Sequence, residues 1–399
     1  MGYVGDVTEC HPRPWRSAVL SDLAHYRRGS FPQPYGLRRW YDDIRGFPFI
    51  QVFDVDDNGR LKETTKRRIS AEARALSVSV PEGTVILTIQ GSIGRVAITQ
   101  YDACIDRTLL IFERFKVPID KRYFKYAIFE LFEREKKNAP GGIIKTITKE
   151  ALSKFQLVYP PLPEQQAIAT ALSDADAYIE SLEQLITKKR QIKQGVMQEL
   201  LTGKRRLPGF EGEWPVVRLE AVLSFQAGYP FSAEFFTQMP GVGIRLVRNR
   251  DLKGDAEVLN YLGSYSQDFV IRDGDVLVGM DAEFITCLWD RGAAILNQRV
   301  GRLKPKDNKL DARFAFYYLA KPLKVIETKT SSTTVKHLSH REVESIEVPL
   351  PPFREQQAIG QVLGDIDEEI RGLDNKLYKV RGLKQAMMQQ LLTGKIRLV

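Results

Sequence analysis

Two long stretches of the chain carry apolar residues at alternating intervals of four and three, a spacing typical of a coiled-coil seam. In the stretch that follows Pro352, these residues are Ile359, Leu363, Ile366, Ile370, Leu373, Leu377 and Val380. In the stretch that follows Pro161, they are Ile168, Leu172, Ala175, Ile179, Leu182 and Ile186. Beyond each seam the apolar stripe shifts, to Ile192, Val196 and Leu200 and to Leu383, Met387 and Leu391. Glycines at 203 and 394 are natural helix ends, which predicts helices of about 38 residues, or roughly 57 Å.

The two stretches are copies of one another. The segments that begin at Pro160 and Pro351 are identical at 25 of 49 aligned positions without a gap. The same shift of 191 residues pairs Gly83 with Gly274, and a slightly larger one of 199 pairs Trp15 with Trp214. The chain is therefore two variable domains, each followed by a more uniform helix, and we expect the boundaries 1–159, 160–207, 208–350 and 351–399.

The variable segments differ in pattern from the helices. Short β-like runs such as FPFIQVF, TLLIFERF, GIRLVR and DVLVGM are separated by Gly, Asp and Asn, and a helical segment follows in each half. In both long helices acidic residues precede basic ones, so an antiparallel pair would place opposite charges side by side. We expect an α+β fold in which two domains of mixed sheet and helices are joined by two long antiparallel coiled-coil helices in a pseudo-twofold arrangement.

The charge of the chain points to a polyanionic partner. The net charge is +9, while residues 164–204 carry five basic and six acidic side chains and residues 355–397 carry seven and six. The basic excess therefore lies outside the helices, in the variable domains. No stretch is long and apolar enough to span a membrane and the first residues do not resemble a signal peptide, so we expect a cytoplasmic protein.

We find none of the usual sequence signals for catalysis. There is no phosphate-binding GxxxxGK[ST] loop, no GxGxxG and no methyltransferase-like NPPY tetrapeptide, and a lone Asp307-x-Lys309 is too common to indicate a nuclease. Cys10, Cys104 and Cys287 form no pair, and His11, His25, His337 and His340 lack metal-ligand spacing. We expect no catalytic residues, no cofactor and no metal. Two alternatives remain: a self-sufficient methyltransferase or nuclease with a built-in reader, and a coiled-coil structural adaptor.

The duplicated PPLPEQQ and PPFREQQ helix starts, the LLTGK endings and the LPGFEGEW link together resemble the specificity subunits of Type I restriction-modification enzymes. The resemblance covers residues 15–399. It implies a non-catalytic subunit in which each variable domain reads one half of a split DNA site. It also implies that the repeated helices act as a spacer and bind two modification subunits, which restriction subunits join. The chain departs from the family in having a single LLTGK after the central helix rather than a run of short repeats, which leaves the spacer length open.

The residues that contact double-stranded DNA are expected in polar, arginine-rich loops, because arginine suits guanine and Asn or Gln suits adenine. The candidates are Tyr26, Arg27, Arg28, Arg38, Arg39, Gln90 and Ser92 in the first domain and Tyr229, Arg245, Arg248, Asn249 and Arg250 in the second. The candidates for scaffolding and partner docking are the duplicated Glu164, Gln165, Gln166, Glu355, Gln356 and Gln357. Because the two domains differ, we expect the DNA site that they read to be asymmetric. We also expect that four residues inserted just after Leu201, outside both cores, widen the gap between the two half-sites.

Overall fold

The computed structural model describes residues 14–138, 152–255, 257–329 and 336–398. The chain divides into two compact units. Unit 1 comprises Met1–Leu182 and Lys376–Val399, and unit 2 comprises Glu183–Asn375. Cys10 and His11, considered above as metal ligands, lie outside the described residues, whereas Cys104 and Cys287 are buried free thiols.

The described part of unit 1 has one two-stranded and two four-stranded sheets, in the orders β1-β10, β2-β9-β6-β7 and β4-β3-β8-β5. The strands are β1 (Arg16–Val19), β2 (Ala24–Arg28), β3 (Phe47–Ile50), β4 (Arg67–Ile69), β5 (Ser79–Val80), β6 (Val85–Thr88), β7 (Val96–Ile98), β8 (Ala103–Ile105), β9 (Leu109–Phe115) and β10 (Gln156–Tyr159). Strands β3 and β8 run parallel, and every other pair between these strands is antiparallel. One of the three sheets, β4-β3-β8-β5, is thus mixed, as the sequence predicted, and the other two are antiparallel.

Unit 2 repeats this plan, with sheets in the orders β11-β21, β12-β20-β17-β18 and β13-β15-β14-β19-β16. The strands are β11 (Val216–Arg218), β12 (Leu223–Ala227), β13 (Phe236–Thr237), β14 (Ile244–Val247), β15 (Leu259–Tyr261), β16 (Val270–Ile271), β17 (Val276–Gly279), β18 (Thr286–Leu288), β19 (Ala294–Leu296), β20 (Val300–Pro305) and β21 (Glu347–Pro349). Here β14 and β19 form the parallel pair.

Seven α-helices lie within the described residues. They are α1 (Leu20–Leu23), α2 (Ala71–Leu76), α3 (Lys121–Asn138), α4 (Leu162–Leu200), α5 (Ala312–Lys329), α6 (His340–Glu344) and α7 (Phe353–Leu391). Helices α4 and α7 are the two long helices expected from the apolar spacing, and each contains 39 residues. The glycines that follow them, Gly203 and Gly394, have φ values of 69° and 73°, the left-handed conformation that ends helices.

The seam residues of the long helices are largely buried. Ile168, Leu172 and Leu363 are fully buried, whereas Ile366 and Leu373 are half-buried. Beyond the seam the apolar stripe is less buried, since Ile192 is 43% exposed and Leu383 is 61% exposed. These two residues are equivalent in the repeat, so both copies present an apolar side chain at the same surface position.

Within each unit the two long-helix segments run antiparallel and pair by charge. In unit 1, Lys384 Nζ lies 2.6 Å from Asp176 Oδ1. In unit 2, the equivalent Lys193 Nζ lies 2.6 Å from Asp367 Oδ1. The acidic beginning of one helix therefore lies beside the basic end of the other, as the charge pattern predicted.

The helix ends belong to the unit cores. Met388, Leu391 and Leu392 pack with residues of β6, α3 and α4 in unit 1. Leu200 and Leu201 pack in the same way in unit 2. The insertion point after Leu201 therefore lies at a core, and the expectation that it lies outside both cores was wrong.

Candidate nucleic-acid interface

A buried carboxylate fixes the start of each long helix. In unit 1, Glu164 is 1% exposed and accepts hydrogen bonds from Trp15 Nε1 at 3.1 Å and from Arg397 Nη2 at 2.7 Å. In unit 2, Glu355 is fully buried and accepts from Trp214 Nε1 at 3.0 Å and from Arg206 Nη2 at 2.6 Å. The bonds to these carboxylates raise the pKa of both arginines above their usual value. A tryptophan, a glutamate and an arginine thus form one junction in each unit, from three distant parts of the chain in unit 1 and from two in unit 2, where Arg206 and Trp214 are close in sequence.

The following glutamine is also internal. Gln165 Nε2 donates to the carbonyl oxygen of Pro160 at 2.9 Å, and its Oε1 accepts from the backbone N–H of Asp120 at 2.9 Å. Gln356 makes the matching bonds with Pro351, at 2.9 Å, and Asp311, at 2.8 Å.

Of the six candidates for scaffolding and docking, Glu164, Gln165, Glu355 and Gln356 therefore hold their own units together. Gln166 and Gln357 are exposed. Docking of partners by this set remains a prediction, and these two glutamines are the members with accessible side chains.

A second repeated contact joins α3 or α5 to a long helix. Tyr126 donates its hydroxyl hydrogen to Asp176 at 2.7 Å, and Tyr317 donates to Asp367 at 2.7 Å. Burial, together with these carboxylates, raises the pKa of both tyrosines. We did not single out these tyrosines, Trp15, Trp214, Arg206 or Arg397 from the sequence as site residues, although each recurs at the equivalent place in the other half.

In unit 2, three of the DNA-binding candidates line a cleft of about 510 Å³ at the carboxyl ends of the parallel strands β14 and β19. These are Arg248, Asn249 and Arg250, and Asp281 and Arg299 also line the cleft. Clefts at the carboxyl ends of parallel strands are the usual binding places of open α/β sheets.

The three side chains have different surroundings. Arg248 is largely buried and donates from Nε to Asp251 Oδ2 at 2.9 Å. Asn249 donates from Nδ2 to the carbonyl oxygen of Asp281 at 2.6 Å, while its Oδ1 is buried without a hydrogen-bond partner among the described residues. Arg250 is 67% exposed. Arg248 and Asn249 thus shape the cleft, and Arg250 projects from it.

The other two candidates of unit 2 lie outside the cleft lining. Arg245 is 14% exposed and donates from Nη1 to Asp255 Oδ2 at 3.1 Å. Bonding to Arg245, with a further contribution from Arg291, lowers the pKa of that carboxyl. Tyr229 is 49% exposed and packs against the ring of Phe231.

The candidates of unit 1 fall into three places. Gln90 and Ser92 lie in the turn after β6, and Tyr26, Arg27 and Arg28 lie on β2, where Arg27 pairs with Glu113 at 2.5 Å. Arg38 and Arg39 are exposed, and the guanidinium of Arg39 lies 4.2 Å from the Trp40 ring centroid. The structure does not bring these seven residues into one site.

The described residues hold no group of three or more His, Cys, Asp or Glu side chains that could bind a metal ion. None of the described helices combines the length and apolar composition needed to cross a membrane.

The sequence and the fold resemble those of known proteins. A family model described as the Type I restriction modification DNA specificity domain matches residues 12–194 and 211–379. The chain belongs to this family. The specificity-subunit assignment predicted from the duplicated motifs is thereby confirmed.

Two relatives show the extent of the likeness. The chain is 30% identical over 188 residues to the EcoBI specificity subunit of Escherichia coli, an alignment that covers 46% of this chain and 39% of that protein. It is 26% identical over 416 residues to the MjaVIII specificity subunit of Methanocaldococcus jannaschii, and this alignment covers 97% of this chain and 94% of that protein.

Solved structures have the same fold. The crystal structure of the type I restriction-modification S subunit from M. genitalium matches with a TM-score of 0.64 at 15% identity, over 96% of this chain and 97% of that one. A chain from work on complex assembly and conformational transition of the type I R-M system matches with a TM-score of 0.57 at 18% identity, over 97% and 99%. These likenesses confirm the predicted α+β fold.

Proposed function

We propose that this chain reads a bipartite, asymmetric site in double-stranded DNA, one half with unit 1 and the other with unit 2, inside a type I restriction-modification complex. The observation that carries the proposal is that both units build the same turns at the ends of a parallel strand pair but fill them with different side chains. In unit 1 the turn after β3 begins Gln51–Val52–Phe53, and in unit 2 the turn after β14 begins Arg248–Asn249–Arg250. A common frame with different side chains suits two readers of different sequences.

The charge distribution supports a nucleic-acid partner. The net charge of +9 resides outside the two segments 164–204 and 355–397, whose charges sum to zero. Phosphates release counterions when basic groups neutralise them, so binding to DNA should weaken steeply with salt. An adaptor that only spaced other proteins would not need this excess.

We also propose that the duplicated helix surfaces bind two modification subunits, which restriction subunits then join. Gln166 and Gln357 are exposed at equivalent positions, and so are the apolar Ile192 and Leu383. Two copies of one surface on one chain suit two copies of one partner. Because its partner is DNA, we place the protein in the cytoplasm.

The chain is proposed to contribute recognition and no chemistry of its own. The sequence lacks nucleotide-binding and methyltransferase motifs, which argues against a self-sufficient methyltransferase or nuclease. Purified chain without partners should neither methylate nor cut DNA. Turnover that follows the chain through every purification step would contradict this part of the proposal.

The deciding experiment is methylation mapping with the complete complex. We expect methylated sites to share two different half-sites separated by a fixed gap. Binding of the complex to such a site should fall linearly on a plot of log affinity against log salt. A single uninterrupted or palindromic recognition sequence, or binding that does not change with salt, would contradict the proposed function.

A further inference from the structure

We propose that Gln51 and Arg107, held in place by Tyr35, form the base-reading site of unit 1, at the position that the Arg248–Arg250 cleft occupies in unit 2. This inference rests on the proposed function and adds to it the reading residues of unit 1. None of the three residues is among the candidates that the sequence suggested. The two units share one backbone frame around this position.

The turn after the first parallel strand has the same hydrogen bonds in both units. In unit 1, the backbone N–H of Asp54 donates to the Gln51 carbonyl oxygen at 2.9 Å, and Gln51 N–H donates to Asp54 Oδ2 at 2.9 Å. In unit 2, Asp251 and Arg248 make the same two bonds, at 2.9 and 2.8 Å. Gln51 therefore corresponds to Arg248, and Phe53 corresponds to Arg250.

The turn after the second parallel strand also matches. Asp106 N–H donates to the carbonyl oxygen of Ile50 at 3.0 Å, and Asn297 N–H donates to that of Val247 at 3.1 Å. Because Asp106 corresponds to Asn297, Arg107 corresponds to Gln298, next to the cleft residue Arg299. Both Arg107 and Gln298 are exposed.

A third turn completes the frame. It follows β6 in unit 1 and β17 in unit 2, and it contains a residue with positive φ in each, Gly91 at 73° and Ala282 at 60°. A Cβ added to Gly91 would touch the Val52 methyl groups at 3.6 Å, which places this turn beside the first one. Gln90 and Ser92, which the sequence did suggest, lie here.

Hydrogen bonds and a ring contact orient the two proposed readers. Gln51 Nε2 donates to the Tyr35 hydroxyl oxygen at 2.7 Å, and that hydroxyl donates to Asp106 Oδ2 at 3.1 Å. The Arg107 guanidinium lies 5.3 Å from the centroid of the Tyr35 ring. Tyr35 is 40% exposed, so the group that it organises lies at the surface.

The chemistry of these side chains defines their target. A glutamine amide suits the N6 and N7 edge of adenine in the major groove, and an arginine suits O6 and N7 of guanine. We therefore assign to unit 1 a half-site in which Gln51 and Arg107 contact base edges. Tyr35 is a positioning residue, since it acts through Gln51 and Arg107.

The test is methylation mapping of the complete complex carrying Gln51→Ala or Arg107→Ala. Each substitution should relax discrimination at one base position of a single half-site by about fivefold to 150-fold, the range for loss of a bidentate contact, and leave the other half-site unchanged. Matched controls are Gln156→Ala and Arg16→Ala. Both residues lie on the β1–β10 sheet of unit 1, outside the three turns, and their substitution should change neither half-site.

Tyr35→Phe keeps the ring and removes the hydroxyl, which guards against a variant that fails to fold. It should relax the position read by Gln51 and leave the position read by Arg107 intact, a split that a general loss of stability would not produce. Unchanged half-sites in all three variants, or equal changes in the control variants, would overturn the inference while the wild-type complex still demonstrates a bipartite site. A wild-type complex without a bipartite pattern would overturn the proposed function together with the inference.

Discussion

Arg397 donates to both carboxylate oxygens of Glu164, although 233 positions of sequence separate them. The contact joins the end of one long helix to the start of the other inside unit 1. Arg206 and Glu355 repeat it in unit 2. Because Glu164 and Glu355 are buried, each carboxylate depends on its arginine and its tryptophan for compensation of its charge.

Glu164→Gln should destabilise unit 1 by about 1.5–3 kcal/mol, because it replaces charge-assisted hydrogen bonds with neutral ones at a buried position. Thermal or denaturant unfolding measures the loss. Glu63→Gln, at an exposed carboxylate of the same unit, should change stability by less than about 0.5 kcal/mol. Because Glu164 and Arg397 belong to one network, the double variant Glu164→Gln, Arg397→Met should lose less unfolding free energy than the sum of the losses in the two single variants. Additive losses would contradict the coupling.

Gly228→Ala should destabilise unit 2 by about 1–3 kcal/mol, the usual cost of overpacking. A Cβ at Gly228 would overlap the carbonyl oxygens of Leu296 and Asn297, where the backbone approaches most closely. The control is Gly372→Ala in α7, where an added Cβ meets nothing within 4 Å. That change should stabilise the chain by about 0.5–1 kcal/mol, because alanine is the better helix residue. Equal effects of the two substitutions would be inconsistent with this explanation.

Lengthening the helices should widen the gap between the half-sites. Since Leu201 is buried in a core, the insertion is better placed between Leu182 and Glu183, with a matching one between Asn375 and Lys376. Four helical residues add about 6 Å, which corresponds to one or two base pairs at roughly 3.4 Å each. Methylation mapping should show the same half-sites with a gap larger by that amount. The same gap, or new half-site bases, would refute the idea that helix length sets the spacing.

Gln166→Ala combined with Gln357→Ala should weaken binding of modification subunits and leave the unfolding midpoint unchanged, because both side chains are exposed. Glu164→Gln should do the reverse, because its main effect should be to lower the unfolding midpoint. Titration of the chain with modification subunit, followed by size-exclusion chromatography or calorimetry, separates the two effects. The methylated sequence should stay the same in both variants, and a shift in that sequence would assign these residues to reading instead.

The Asp255 carboxyl should contribute to stability above a pH of about 4 and lose its contribution in acid. Its pKa lies below the ordinary value of 3.8 because Arg245 and Arg291 donate hydrogen bonds to the charged form. A carboxyl whose pKa is lower in the folded than in the unfolded state stabilises the fold at a pH above the unfolded-state pKa. This stabilisation disappears as the pH falls through the folded-state pKa. Asp255→Asn should therefore lower the unfolding midpoint at pH 7, with the difference narrowing toward pH 3. Asp307→Asn, at an exposed position, is the control and should change stability at pH 7 by less than about 0.5 kcal/mol.

Local sequence was enough to predict the long helices and their antiparallel pairing, because apolar spacing and charge order are properties of adjacent residues. Ile192 and Leu383 continue the apolar stripe beyond the seam, and both are exposed. Periodicity alone does not specify which face of a helix another segment covers. The repeat does carry a signal here, since both copies retain an apolar residue at the same surface position.

The proposed reading site was harder to predict, because its position depends on the order of the strands in the sheet. Strand β3 lies beside β8, about fifty residues later in the chain, and this neighbour relation brings Gln51 near Arg107. Arg248, Asn249 and Arg250 were candidates because their composition alone suggests DNA binding, whereas Gln51–Val52–Phe53 looks like part of a strand. Aligning Asp54 with Asp251, each four residues after the last residue of its strand, is the sequence signal that identifies the equivalent turn.

The division of the core between distant stretches has a consequence for synthesis on the ribosome. Unit 2 is one continuous stretch, Glu183–Asn375, whereas unit 1 needs the residues from Lys376 onward. At about 5–20 residues per second, the roughly two hundred residues that follow Leu182 take on the order of 10–40 s to make. For that interval Ile168 and Leu172 lack the Met388, Leu391 and Leu392 side chains that complete their core. Unit 1 is therefore begun first and completed last. The nascent chain is most vulnerable to aggregation or proteolysis until the residues from Lys376 onward have been made.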